Sequence, residues 1–341
     1  MRIFSGIQPT GDKHFGNYSG GFRQYVALQE QGDAFFCIVD LHSISVEHDP
    51  EQLRSSTVDL AAMLFAVGLD PERSTVFCQS HVPAHAEAAW LLSGVTSFGQ
   101  LSRMTQFKEK SERREFVSAA LFTYPVLMAG DILLYQTDVV PVGDDQRQHL
   151  ELTRDVAARF NSRFGEIFRI PEVQIPAEGA RIMDLQEPER KMSTTDGTPQ
   201  GTVLIADAPD VVRKKVRAAV TDSGRDVRHD PESKPGISNL IEIMSVATGD
   251  SFADIEARYD GQGYGPFKAD VAEAVVDLLD PIRRRYEQLR GDPVELQRLL
   301  ARGAEKARNA SQPTLDRMYA AMGFVKAEAG RFFGAARPRG L

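Results

Sequence analysis

The apolar positions of this chain change period about two-thirds of the way along. Residues 34–41 are a near-continuous apolar run, as expected of a strand buried on both faces. Residues 50–68 place Leu53, Val58, Ala61, Ala62, Leu64 and Phe65 at helical spacing, and Gly68 ends the run. Residues 74–79 read as another strand, and 83–92 as a helix with Pro83 in its first turn. Strand–helix alternation of this kind predicts a parallel sheet covered by helices on both faces, a Rossmann-like domain. Residues 98–171 read mainly as helix, with one short strand at 138–142 and an amphipathic helix over 150–164 that begins near Asp144. Residues 181–185 are predicted as a last short strand and 186–200 as a mobile polar loop. From residue 202 the period is almost wholly helical: 209–220, 237–248, 252–259, 268–290 and 293–322, the last broken near Pro313. The predicted class is α/β: a Rossmann-like parallel sheet with a helical insertion at about 104–175, followed by an all-helical C-terminal domain. The boundaries fall at 1–203 and 204–325. The tail 326–341 is predicted to be flexible, since from Ala329 on Arg331, Arg337 and Arg339 lie among Gly and Pro without an acid.

Composition narrows the functional classes. The chain has 341 residues and a net charge of −8, so its surface as a whole is not built to hold nucleic acid by bulk charge, and any RNA contact must use local basic patches. The two cysteines, Cys37 and Cys78, sit in apolar runs without metal-ligand spacing and read as reduced, buried thiols of a cytoplasmic protein. No apolar run approaches the ~18–20 residues of a membrane span, and the first residues lack a signal-peptide pattern. No membrane partner is expected.

Two stretches carry candidate chemistry. The first, residues 3–17, reads as a strand, a Gly/Pro turn and the start of a helix to about residue 31. Such a turn bares backbone N–H groups at a helix N-terminus, where phosphate binds. Gly16 allows close backbone approach, and His14 adds a donor beside it. The second is a helix opened by Pro125, with Thr123 and Tyr124 just ahead of it. On this helix Met128, Asp131, Ile132 and Tyr135 share one face. Asp131 is a carboxylate in an apolar stripe, and its burial costs several kcal/mol unless it finds a donor. An indole N–H is donor-only and suits such a slot; pairing with a nearby Arg or Lys is the alternative.

Residues 8–17 and 191–195 together resemble the two signature sequences of class I aminoacyl-tRNA synthetases. Asp131 to Tyr135, followed by Gly143, Asp144, Asp145, Gln146, Arg147, Gln148 and His149, narrows the resemblance to the bacterial tryptophanyl-tRNA synthetases. It spans residues 4 to about 323. It implies tryptophan–tRNA ligation: activation of L-tryptophan by ATP with Mg²⁺, then transfer to tRNA(Trp). It also implies a homodimer and a tRNA anticodon-binding role for residues 204–325. Carried over residue by residue, Asp131 would accept the indole N–H, with Phe4, Tyr124, His42, Met128, Ile132 and Gln146 around it. ATP would be held by Gln8, Pro9, Thr10, Gly16 and Asn17, by Gly143, Asp144 and Asp145, by Ile182, and by Lys191, Met192, Ser193, Thr194 and Thr195. Catalysis would fall to Lys191, His14, Ser193 and Thr194, because charge building on departing pyrophosphate needs cations and donors more than acid–base groups. No resident protein metal site is implied. Lys110, in the charge run with Lys108, is a further candidate cation or a solvated surface residue.

The chain departs from the pattern at two points. Asn17 stands where many class I enzymes have histidine, as is usual in the tryptophanyl and tyrosyl branch. Thr194 stands where a second lysine is common, and Thr195 where serine is. For tRNA phosphates, Arg213, Lys214, Lys215 and Arg217, then Arg283, Arg284, Arg285 and Arg290, then Arg298, Arg302, Lys306 and Arg308 form basic clusters; for any single one an ordinary exposed helix face is the better explanation. The alternatives are a tyrosyl-type synthetase, or a synthetase-like binding or regulatory protein that has lost charging.

Overall fold

The structure, a computed structural model, describes all residues except 113–115, 142, 144, 145, 175–180, 195 and 326–341. Among the described residues five parallel strands form one sheet in the order β3-β2-β1-β4-β5. They are β1 (Arg2–Ile7), β2 (Asp33–Ile38), β3 (Ser74–Cys78), β4 (Val139–Pro141) and β5 (Glu172–Gln174). Ile3 pairs with Ala34 on one side and with Val139 on the other. The chain therefore lays down three strands in one direction, returns to the far side of β1, and continues outward. The reversal between β1 and β4 is a topological switch point, where open parallel sheets form a crevice at their carboxyl ends.

The strands alternate between two apolar cores. Phe36, Ile38, Val76 and Cys78 face one, while Phe35, Cys37 and Phe77 face the other. Helices α1 (Pro50–Ala66), α2 (Ala84–Ser93), α3 (Ala119–Leu133) and α4 (Arg147–Phe164) follow, with short helical turns at Phe98–Leu101 and Thr105–Glu112. α1 is capped as its sequence predicts: Asp49 accepts from the Gln52 N–H and Pro50 occupies the first turn. Gly68, at φ +114°, turns the chain where an L side chain is strained.

The C-terminal helices are α5 (Pro209–Arg217), α6 (Pro235–Thr248), α7 (Phe252–Arg258), α8 (Tyr264–Gly291) and α9 (Pro293–Ala321). They share their apolar interior with the sheet: Val212, Ile237, Val271 and Leu299 belong to the same core as Ile3, Phe36 and Leu60. The last helix also supplies Ala304, Ala307, Leu315 and Met318 to the opposite core. α9 thus crosses the outer edge of β3 and seals it, which removes an exposed edge strand. Gly303 makes the crossing possible, because a Cβ there would lie 1.8 Å from the Val76 carbonyl oxygen.

Four local expectations need correction. α3 begins at Ala119, not at Pro125: the Ser118 hydroxyl caps it by accepting from Leu121 N–H at 3.1 Å, and Pro125 lies inside the helix. α9 runs through Pro313 unbroken; packing of its long apolar face outweighs one missing N–H. Residues 181–185 form only an isolated bridge, Met183 to Lys191, because the chain turns back at once. The helix after β1 runs from Phe15 to Leu28 with a π-helical turn over Tyr18–Phe22, where Gly20 and Gly21 relax it. The expected strand end at Val142, the helix start near Asp144 and the tail fall outside the described residues.

Candidate active site

A cavity of about 410 Å³ opens at the β1/β4 switch point, within the size range of small-ligand sites. β1 contributes Phe4 and Gly6 and leads to Gln8. The turn after β2, Asp40–Ser45, contributes His42 and Ser45. α3 contributes Tyr124, Met128, Asp131 and Ile132, and the run after β4 contributes Gln146. Every residue expected around a bound side chain (Phe4, His42, Tyr124, Met128, Asp131, Ile132 and Gln146) lines this one space. Val39 and Val140 complete its apolar wall, and Gln106 and Lys110 stand at its rim. Lys110 is exposed, with its ammonium 5.9 Å over the Tyr124 ring, and donates to Gln106 Oε1 at 3.3 Å.

Asp131 is the chemical centre of the cavity. It is 1% exposed. Its partners are neither Arg nor Lys: Gln79 Nε2 and His85 Nδ1 lie 2.6 Å from Oδ1, and His42 Nε2 lies 2.8 Å from Oδ2. Burial pushes the carboxyl up, but hydrogen bonds and positive charge from His42 and His85 outweigh it and hold the group at about 2. Gln79 and His85 were not singled out in the sequence. Gln79 follows β3 and also accepts from Leu41 N–H at 3.1 Å, which fixes the turn that carries His42. The Ser118 cap holds the same turn from α3 by donating to Ser45 O at 2.9 Å. Tyr124 reaches His149 Nε2 at 2.6 Å, and burial raises its hydroxyl to about 12, so it stays protonated.

A second group of residues gathers beside the cavity. Thr10 N–H bonds to Gln8 O at 2.9 Å in the turn that leaves β1. His14 caps the following helix: its Nδ1 accepts from Gly16 N–H at 3.1 Å, while its own N–H donates to Asn17 Oδ1 at 2.9 Å. With Nδ1 an acceptor, neutral His14 carries its proton on Nε2. Burial first, then the charges of Lys191 and Lys13, push His14 down to about 4, so it is neutral at physiological pH. Pro9 is buried within this turn.

The far segment folds onto this turn. Met192 is buried and its N–H donates to Ile182 O at 3.0 Å, and Ile182 lies 3.8 Å from where a Cβ on Gly16 would be. Thr194 Oγ1 lies 3.3 Å from the corresponding point on Gly11, whose φ is +53°. Ser193 O accepts from Thr202 Oγ1 at 2.9 Å, and its hydroxyl accepts from Asp196 N–H at 3.2 Å. Residues 186–200, expected as a mobile loop, wrap buried Asp184, whose carboxylate accepts from the N–H groups of Gln186, Glu187 and Thr198. Gly201 allows that wrap, since a Cβ there would fall 1.7 Å from Asp184 Oδ1. Gly143 accepts from Gln146 N–H at 3.0 Å; Asp144, Asp145 and Thr195 lie outside the described residues.

The basic clusters expected to face RNA are largely engaged within the chain. Arg213 forks onto Glu273 at 2.9 Å, Lys215 meets Asp207 at 2.7 Å, and Arg283 and Arg284 pair with Asp280. Arg290 pairs with Asp59 and Arg302 with Glu72, while Lys306 and Arg308 donate to the carbonyls of Pro71 and His81. These last four fasten α8 and α9 to the sheet domain.

Residues 1–280 match the model of the class I tRNA synthetases for tryptophan and tyrosine (W and Y). The chain belongs to that family. It is 53% identical over 324 residues to the tryptophan–tRNA ligase of Caldanaerobacter subterraneus subsp. tengcongensis, covering 95% of this chain and 98% of that one. It is also 53% identical over 330 residues to tryptophan–tRNA ligase 2 of Streptomyces avermitilis, covering 96% and 98%. Among solved structures it matches the tryptophanyl-tRNA synthetase of Campylobacter jejuni complexed with ADP and tryptophan, with a TM-score of 0.83 and 35% identity, over 95% of this chain and all of that one. Within the family its place is among the bacterial tryptophan–tRNA ligases.

Proposed function

We propose that the chain ligates tryptophan to its tRNA in two steps, with the cavity at the switch point holding the amino acid and the adjoining turns holding ATP. The observation that carries this reading is Asp131, an ionised acceptor beside the apolar wall of Phe4, Val39, Met128, Ile132 and Val140. An indole presents one N–H and a flat apolar body, and matches both features. A phenol both donates and accepts, and the donors around Asp131 (Gln79, His85 and His42) are already turned to the carboxylate. Phe4, Met128 and Ile132 form the walls, and His42, Tyr124 and Gln146 frame the polar end.

In the first step a tryptophan carboxylate oxygen attacks the α-phosphorus of ATP. The bond to the bridging oxygen breaks, and pyrophosphate leaves. Gln8, Pro9, Thr10, Gly16 and Asn17 cradle the nucleotide, Ile182 and Met192 flank the base, and Gly143, Asp144 and Asp145 meet the ribose. Lys191 and the Nε2–H of His14 face the charge that grows on the departing phosphates, aided by Ser193, Thr194 and Thr195. Mg²⁺ would enter as the complex with ATP, held mainly by the nucleotide's own phosphates. In the second step a terminal ribose hydroxyl of the tRNA attacks the tryptophanyl carbonyl, and AMP leaves.

The chain acts as a homodimer in the cytoplasm. Ile44 and Phe116, 52% and 81% exposed around one surface hollow, supply an apolar surface that a second copy would cover. Among the described residues no helix is long and apolar enough to cross a membrane.

The deciding experiment is amino-acid-dependent exchange of pyrophosphate into ATP with Mg²⁺, run with each amino acid. Exchange with tryptophan alone is expected. Exchange with tyrosine would overturn the Asp131 reading, and no exchange would point to a binding protein that has lost activation.

A further inference from the structure

Asp131 does not stand alone under the cavity. A carboxylate offers about four lone-pair positions, and among the described residues three are filled: two on Oδ1 by Gln79 and His85, one on Oδ2 by His42. His42 lines the cavity and Gln79 and His85 do not, so Oδ2 is the oxygen turned to the ligand. One lone pair remains there.

His85 is wholly buried, on the first turn of α2, behind the carboxylate. Its Nδ1 must donate, because ionised Asp131 can only accept. Its Nε2 meets the Tyr135 hydroxyl at 2.8 Å, and Tyr135, also fully buried, in turn hydrogen-bonds Ser311 on α9. The ring is therefore held at both ends. Its distance from Asp131 is set by a close helix crossing. Gly130 lets α3 approach α2, and a Cβ there would lie 3.3 Å from Ala89 N and 3.5 Å from His85 O.

We propose that His85 is a positioning residue for amino-acid selection: backed by Tyr135, it keeps Asp131 ionised and turned so that one Oδ2 lone pair is left for one N–H donor. This rests on the reading of the cavity as the tryptophan site. Without His85 the carboxylate loses a donor in a buried place. It then gains a proton more readily and rotates, and a protonated acid no longer demands a donor from the ligand.

The test compares tryptophan with β-(3-benzothienyl)alanine, which replaces the indole N–H by sulfur. Pyrophosphate exchange is measured from pH 5 to pH 8.5 for the unaltered chain, His85→Leu, His85→Asn and Tyr135→Phe. A site built around a hydrogen bond rejects the ligand that lacks it by as much as about 10⁴-fold. For His85→Leu the expected result is a discrimination about 10- to 100-fold smaller, carried by the KM for tryptophan with kcat little changed. The acid limb of kcat/KM should also move up toward neutral pH. His85→Asn, whose amide can replace the Nδ1 donor, should recover most of the discrimination, and Tyr135→Phe should lose part of it. If His85→Leu fails to fold, Tyr135→Phe decides in its place. Unchanged discrimination and an unchanged acid limb in His85→Leu, or in Tyr135→Phe where that variant decides, would overturn the role of His85. If the unaltered chain itself accepts the sulfur analogue as readily as tryptophan, the tryptophan-site reading falls, and this inference with it.

Discussion

The cavity proposed for the amino acid and the turn proposed for the nucleotide lie side by side, yet they are built by opposite means. In the cavity the functional charge is buried, and its position is set by side chains from three elements: His42 after β2, Gln79 after β3 and His85 on α2. In the turn proposed for the nucleotide most polar groups other than buried His14 are exposed or half-exposed, and position comes from backbone: the Thr10 turn, the N–H of Gly16 and the bridge that carries Lys191. Selecting one side chain among twenty needs a rigid, desolvated partner, because each hydrogen bond is worth most where water is excluded. Stabilising a phosphate charge common to every ATP needs donors and cations near the mouth, where the nucleotide and tRNA must come and go.

The contrast can be broken first at Asp131. Asp131→Ala leaves His42, His85 and Gln79 without their shared acceptor and removes the indole partner. Activation of tryptophan should fall about 10³- to 10⁴-fold in kcat/KM. A loss below about tenfold would show that the cavity selects by shape alone. The next largest effect belongs to Lys191→Ala, which should lower kcat about 10²- to 10³-fold with KM for tryptophan within about threefold, since it removes charge met only in the transition state. A matching rise in KM would mean that the two regions are not separable.

Acid should sharpen the comparison. His14 titrates near 4 when folded and near 6.5 when free, so the unfolded chain binds the extra proton in that window and stability falls as pH drops from about 6.5 to about 4. Asp131 sits at about 2 against a usual 3.8, so its contribution is present above about 4 and is lost as pH falls toward 2. Denaturant unfolding between pH 7 and pH 4 should show the first loss in the unaltered chain, and His14→Asn should flatten it. A slope unaffected by the substitution would remove His14 as its source. The smallest effect is expected from Thr194→Lys, because Thr194 sits against Gly11 at the exposed rim. An exchange rate within about threefold of the unaltered chain would mean that Lys191, with any magnesium carried in by ATP, already supplies the charge. A rise above about tenfold would mark Thr194 as a true deficit.

Much of both regions was legible in the chain before folding. The apolar run 34–41, the helix ended by Gly68 and the amphipathic run 150–164 carry local period, and local period survives into the fold. Asp131 stood out because a carboxylate in an apolar stripe demands a partner. His42 was expected beside it, but its other two partners did not stand out. Gln79 and His85 are 52 and 46 residues away, and each in isolation is an ordinary polar residue at a strand or helix end.

The sequence by itself determined the strand–helix alternation, the glycines of the nucleotide turn and the buried acid, because each is set by neighbours within a few residues. Only tertiary structure decided which donors meet Asp131, that α9 crosses the β3 edge at Gly303, and that Arg290, Arg302, Lys306 and Arg308 clamp the helices to the sheet rather than stand free. These depend on contacts between distant segments, where the energy lies in burial and in hydrogen bonds made after the chain has closed on itself, and no local period records them.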